Sequence, residues 1–115
     1  MNSVNLIGRA TREPEVRETT SGIKVAVTGV AVDGMNDSVS FIPVVCYAGS
    51  AEVMSKYVHK GNLIGLTGRL NQRTYKNSEG KEKSVIEVIV DNIQLLEKKP
   101  TEEDQPKAKT KTAKN

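Results

Sequence analysis

The feature that most constrains the fold is a single segment with helical periodicity, which follows three strand-like runs and precedes two more. This segment, Ser50–His59, carries apolar residues at helical spacing: Ala51, Met54, Tyr57 and Val58. Ser50 is suited to begin the helix as its N-cap, and Gly61 to end it. All four apolar side chains, including Tyr57, are therefore predicted to face the core.

Five runs with the composition of β-strands surround this helix. The second is rich in β-branched residues and suits a buried strand, while a polar connection, Thr11–Ser21, separates it from the first. The predicted strands are Asn2–Arg9, Ile23–Val32, Val39–Tyr47, Asn62–Tyr75 and Lys83–Leu96. A helix between strands 3 and 4 of a five-stranded Greek-key barrel is typical of the OB-fold, whereas an SH3-like barrel lacks a helix there. We therefore predict an all-β OB-fold.

Composition argues against several classes of function. A single cysteine, Cys46, excludes a disulfide framework and a cysteine-based zinc site, and a single histidine, His59, argues against catalytic triads and multi-histidine metal sites. No phosphate-binding glycine loop or hydrolase motif occurs. We expect no catalysis, no metal and no cofactor. No secretory signal or membrane-spanning apolar stretch is visible, so we expect a cytoplasmic protein without membrane contact.

The charge of the chain is divided unevenly. The whole chain carries a formal net charge of +3, but residues 1–96 contribute only +1 of it. Residues 98–115 are rich in Lys, Thr and Glu and have no aliphatic side chain larger than Ala, so they are predicted to be a disordered Lys-rich tail. The predicted domain is residues 1–97. Any binding of nucleic acid by this domain must therefore depend on where its charges lie.

Alternation along strands 3 and 4 places most of the aromatic residues outside the barrel. In strand 3, Phe41 and Tyr47 share the outer face, and the inner set is Ile42, Val44 and Cys46. In strand 4 the inner set is Ile64, Leu66, Gly68 and Leu70, and the outer set ends in Arg69, Asn71, Arg73 and Tyr75. Stacked bases would cover such aromatics, with arginine neutralising the phosphates between them. A loop or another subunit would cover Phe41 and Tyr47 equally well, whereas Tyr75 beside Arg73 favours contact with a ligand.

Several motifs in combination resemble a known family. The chain reads NSVNLIGR at residues 2–9, FIPVVCYAGSAEVMSKYVHKG at residues 41–61, GRLNQRTY at residues 68–75 and IEVIVDNIQLLE at residues 86–97. This resembles the bacterial-type single-stranded DNA-binding proteins across essentially all of residues 1–97. The resemblance implies an OB-fold, a homotetramer, and binding of single-stranded DNA by stacking and backbone contacts.

The resemblance also implies roles for individual positions. The family's stacking aromatics fall on Phe41, Tyr47 and Tyr75, of which the first and last are commonly Trp in relatives. Positions where the family tends to place basic residues near DNA are Arg9, Arg69 and Arg73, with Lys60 and Lys76 as further candidates.

Two segments depart from the family pattern. The loop Asp33–Ser38 is short and lacks the aromatic that many members carry there. The chain ends KAKTKTAKN, with its acidic cluster internal, whereas members often end in an acidic tip that recruits other proteins. This argues against recruitment of replication proteins through an acidic tip and suggests a short phage-, plasmid- or accessory-type member.

The function that we predict is binding of single-stranded DNA with little sequence preference, which protects it during replication, recombination or repair. The alternative is an OB-fold module that docks protein partners of a replication assembly and touches nucleic acid only weakly. Binding of RNA shares the stacking chemistry, and the sequence does not separate it from binding of DNA.

Overall fold

The computed structural model describes residues 1–97, so the predicted Lys-rich tail lies outside the described residues. Within them the chain forms six strands and one α-helix. The elements are β1 (Val4–Ala10), β2 (Glu15–Glu18), β3 (Lys24–Asp33), β4 (Val39–Tyr47), α1 (Gly49–Tyr57), β5 (Leu63–Lys76) and β6 (Glu82–Leu95), with a 3₁₀ turn at Met35–Asp37. The five predicted strands and the helix between the third and fourth of them are confirmed. No helix in this part of the chain is long and apolar enough to span a membrane.

The sheet closes on itself, as an OB-fold requires. Hydrogen-bonded neighbours follow the order β1-β5-β6-β4-β3, and a second pairing of β1 with β3 completes the ring. All pairs in the ring are antiparallel except β4 with β6, which runs parallel over Val44–Cys46. This parallel contact follows from the helix, because a crossover between β4 and β5 lets β6 return beside β4 in the same direction.

The predicted polar connection between the first two strands contains a further short strand. β2 pairs with the outer edge of β3, with Arg17 opposite Val25 and Glu15 opposite Val27. All four of its residues are exposed, so its sequence has no apolar alternation from which a strand could be predicted. It therefore extends the sheet beyond the ring as a ribbon.

The core lies inside the ring and is closed at one end by α1. Its fully buried apolar members come from four strands, the helix and the residue that follows it: Ala26, Val30, Val44, Cys46, Ala51, Met54, Val58, Ile64 and Val88. Cys46 is confirmed as a core residue, and burial raises the pKa of its thiol to about 11.

Three details of the predicted helix are wrong. The helix ends at Tyr57 with Val58 as its C-cap, so Gly61, which was predicted to end it, lies three residues beyond that cap. The N-cap position is Ala48, with φ of 54°, and the Ser50 hydroxyl instead donates to the carbonyl of Tyr47 at 3.0 Å. Tyr57 was predicted to be core but is 53% exposed. At about 100° per residue it lies roughly 90° round the helix from the centre of the stripe formed by Ala51 and Met54, so it flanks the core.

The pairing of β5 with β6 continues past the barrel as a two-stranded arm, residues 69–87. Gly68 lies at the base of this arm, where the register shifts by one residue between Thr67 and Gly68. A methyl group at Gly68 would fall on the carbonyl oxygen of Ile89, so the strands approach too closely here for any side chain. Leu70 was predicted to face inward, but it lies beyond the core on the arm and is 50% exposed.

Candidate nucleic-acid interface

Alternation along β4 places its two aromatic residues on the outer face, as predicted. Phe41 is 71% exposed and Tyr47 is 44% exposed, whereas Val44 and Cys46 between them are fully buried. Phe41 and Tyr47 are six residues apart, which corresponds to about 20 Å along an extended strand. The face between them can therefore accommodate several nucleotides.

A groove of about 600 Å³ runs over the outer face beside Tyr47. Its apolar part is formed by β3, β4 and β6, and its polar walls by the segment around β2 and by the arm. The lining residues are Arg12, Arg17, Glu18, Thr19, Val25, Val27, Pro43, Val45, Tyr47, Arg73, Val85 and Glu87. Val45 is only 7% exposed although it points outward, because it lies in this groove. The groove thus has an apolar floor and charged walls, in which three arginines face two glutamates.

Two arginines of the groove wall, Arg12 and Arg17, were not predicted as site residues. Register places Arg17 opposite Val25 on β3, and Val25 is opposite Tyr47 on β4, so all three side chains share one face. The signal in the sequence was weak, since the segment has no apolar alternation and was predicted to be only a polar connection. The pairing of β2 with β3 is what aligns Arg17 with Tyr47.

Arg73 and Tyr75 lie together on the arm. The guanidinium carbon of Arg73 is 5.8 Å from the centroid of the Tyr75 ring, within the range of a cation–π contact. Arg73 donates from Nε and Nη2 to the carboxylate of Glu87, at 3.4 Å and 3.3 Å. The hydrogen bond with Glu87 and the negative charge of that group raise the pKa of Arg73. Arg73 lines the same groove as Tyr47, whereas Tyr75 lies just outside it.

The other predicted arginines also contact carboxylates. Arg69 shares the outer face of β5 with Arg73, and its Nη1 donates to Asp91 at 2.7 Å; both side chains are about half exposed. Arg9 donates to the carbonyl of Gly61 at 2.9 Å and to Glu97 at 3.2 Å. Arg9 lies opposite Ala31 on β3, which in turn lies opposite Phe41. It therefore flanks the Phe41 end of the surface and is not part of the groove.

The two predicted lysines lie apart from the groove. Lys60 follows the helix, and its backbone N–H donates to Glu13, which also contacts His59 Nδ1 at 3.1 Å. These contacts, led by the hydrogen bond from Lys60, lower the pKa of Glu13. Lys76 ends β5 opposite Glu82, and alternation places it on the face away from Tyr75. Phe41, Tyr47, Tyr75, Arg69 and Arg73 are thus the predicted residues that share the outer face of β4 and β5.

The side chains of this surface are aromatic, apolar and charged. Among residues 1–97, no group of three or more His, Cys, Asp or Glu side chains is placed to hold a metal ion. What the groove does offer is one exposed aromatic residue, Tyr47, beside guanidinium groups and over an apolar floor. Such a surface suits flat, partly apolar groups linked by negative charges.

Known proteins match nearly all of the part of the chain that the structure describes. The family model described as the single-strand binding protein family matches residues 1–96. "Single-stranded DNA-binding protein 1" of Staphylococcus aureus (strain MSSA476) is 41% identical over 112 residues, which cover 91% of this chain and 71% of that protein. A protein of the same name from Lactococcus lactis subsp. lactis is 38% identical over 120 residues, which cover 96% of this chain and 80% of that protein.

A solved structure supports the same fold. The structure described as "Plasmodium falciparum SSB complex with ssDNA" matches with a TM-score of 0.74 and 24% identity, covering 84% of this chain and 96% of that one. At this identity the match shows that the two chains share a fold, whereas the matches to the bacterial proteins show similarity in sequence. The chain belongs to the single-strand binding protein family.

Proposed function

We propose that this chain binds single-stranded DNA with little sequence preference, by stacking bases on Phe41, Tyr47 and Tyr75. The observation that carries the proposal is the exposure of all three aromatic residues, 71%, 44% and 45%, on the strands that carry the predicted binding face. When a base stacks on an exposed aromatic ring, both remove apolar surface from water, which favours binding, and every base has a π-face. Stacking of this kind therefore binds any sequence.

Basic side chains along the same surface would neutralise the phosphates. Arg12 and Arg17 lie on the wall of the groove, Arg69 lies at the base of the arm, and Arg9 flanks the end near Phe41. Lys60 and Lys76 are more distant candidates. The described part of the chain is almost neutral, so affinity depends on these local placements and falls with salt by a slope of about −0.7 per neutralised phosphate.

We further propose that binding occurs without catalysis, as expected for a protein of this family, and that the protein is a homotetramer, the assembly typical of the family. It would act where the DNA of the cell lies, in the cytoplasm. Protection of exposed single strands during replication, recombination or repair is the process that this binding serves.

Titration of labelled oligo-dT, followed by fluorescence anisotropy, tests the proposal. We expect binding of oligo-dT that is much tighter than binding of a duplex of the same length, because bases in a duplex are already stacked on each other. Equal affinity for the two would refute it and favour a protein-docking module. A parallel titration with oligo-rU separates DNA from RNA, and light scattering with and without oligo-dT gives the oligomeric state.

A further inference from the structure

A buried carboxylate lies in the groove that we propose for a polyanion. The side chain of Glu87 is only 4% exposed, in contrast to its partner Arg73 at 54%. Glu87 also lies within 3.4 Å of Asn71 Nδ2. A negative charge at this place repels phosphates. The hydrogen bonds between Glu87 and Arg73 indicate a different role for this carboxylate.

The contacts of Glu87 fix both the charge and the orientation of Arg73. Two nitrogens on one edge of the guanidinium group, Nε and Nη2, face the two carboxylate oxygens, and two parallel bonds of this kind hold the plane of the group. The positive charge of Arg73 is thereby compensated within the protein. One face of the guanidinium group is turned to Tyr75, and since more than half of the side chain is exposed, the opposite face is available to a ligand.

The pair formed by Arg69 and Asp91 provides a contrast on the same two strands. Their side chains are 52% and 54% exposed, so water can solvate Asp91 if Arg69 turns to a phosphate. Glu87 has no such access to water. If Arg73 left it for a phosphate, a buried carboxylate would keep only the contact with Asn71, which is a costly state for a charged group.

We propose that Arg73 is a stacking surface for a base and does not neutralise a phosphate, and that Glu87 is the positioning residue that holds it in this role. The sequence predicts a phosphate contact at Arg73, whereas the geometry points to a base lying in the groove between Tyr47 and the guanidinium plane. This inference rests on the proposed function and specifies one of its contacts.

The first test is the salt dependence of oligo-dT binding by Glu87→Gln. Glutamine keeps the size of the side chain and an oxygen that accepts from Arg73, but it removes the compensating charge. Arg73 then becomes available to phosphate, so the slope of log K against log salt is expected to become steeper by about 0.7. Glu79→Gln makes the same change of charge in the exposed turn at the tip of the arm and should give the wild-type slope. Arg69→Gln should flatten the slope by about 0.7, which shows that the assay resolves one phosphate.

The second test is Arg73→Lys, which keeps the charge beside Glu87 and loses the flat guanidinium group. If Arg73 stacks on a base, affinity should fall at least about fivefold, the low end of the range for one stack. A charge-neutralising phosphate contact would survive this change, because lysine binds phosphate as a point charge. Affinity within about twofold of wild type would therefore overturn the proposal, as would an unchanged slope for Glu87→Gln.

Circular dichroism melting curves establish that each variant is folded at the temperature of the titration. Should Glu87→Gln fail to fold, Arg73→Lys alone still decides, since it keeps a positive charge beside Glu87. Failure of the proposed function would look different: the unsubstituted protein would bind oligo-dT no better than duplex. Failure of the inference would leave wild-type binding intact and remove only the expected differences between variants.

Discussion

Replacement of Tyr47 by alanine gives the sharpest test of stacking on the outer face. Tyr47 is the one aromatic residue that lines the groove among residues 1–97, and 44% of it is exposed, so it is accessible to a base. Loss of one base–aromatic stack is worth about 1–3 kcal/mol. This corresponds to an increase in Kd for oligo-dT of about fivefold to 150-fold.

The chain supplies a matched control in Tyr57. It is the same residue type with a similar exposure, 53%, but it lies on α1 and does not line the groove. Tyr57→Ala should therefore leave oligo-dT binding unchanged, while its effect on the free energy of unfolding should resemble that of Tyr47→Ala. Comparison of the two variants separates loss of a stacking partner from loss of packing.

Anisotropy titrations at several salt concentrations complete this test. Tyrosine carries no charge that neutralises a phosphate, so Tyr47→Ala should lower affinity equally at each concentration and leave the salt slope unchanged. Tyr47→Phe keeps the ring and should bind nearly as wild type. The reasoning is refuted if Tyr47→Ala binds within about twofold of Tyr57→Ala, since even the weakest expected stack exceeds that difference.

Three further predictions concern the fold. Met54→Ala should lower the free energy of unfolding by about 2–5 kcal/mol in urea titrations, because Met54 is fully buried between helix and barrel; a loss below about 1 kcal/mol would contradict this. Cys46 should react with a thiol reagent at pH 8 only after unfolding, because burial raises its pKa to about 11; rapid reaction of the native protein would contradict this. The free energy of unfolding should fall as pH drops below about 4.5, because the pKa values of Glu13, Glu52 and Glu97 are lowered in the folded state. In this pH range the folded state binds fewer protons than the unfolded chain, so acid favours unfolding. A melting temperature independent of pH between about 5 and 3 would contradict this.

Side-chain alternation was sufficient to predict the outer face of β4. A strand buried on one side has a strict period of two, so Phe41 and Tyr47 had to oppose Val44 and Cys46 once the strand was recognised. The same rule was wrong for Leu70. Alternation gives the side of the strand, but whether that side meets a core depends on how far the barrel extends, and Leu70 lies beyond it.

Contacts between distant segments could not be predicted in this way. Arg12 and Arg17 join the groove only because β2 pairs with β3, and β2 carries no apolar pattern of its own. Tyr57 shares the helical spacing of core residues, yet the surface of the barrel covers only a narrow stripe of α1 and leaves Tyr57 half exposed.

The sequence by itself determined the order of the helix and of the five strands that form the ring, and the outward position of the aromatic residues on β4. These follow from local periodicity and from the length of each run, which act within a few residues. Only the tertiary structure decided which charges meet. Glu87 and Arg73 are 14 positions apart and belong to different strands, and their pairing depends on the register of β5 against β6 after the shift at Gly68. Strand register therefore sets the arrangement of charge in the groove, and this register cannot be read from the composition of the chain.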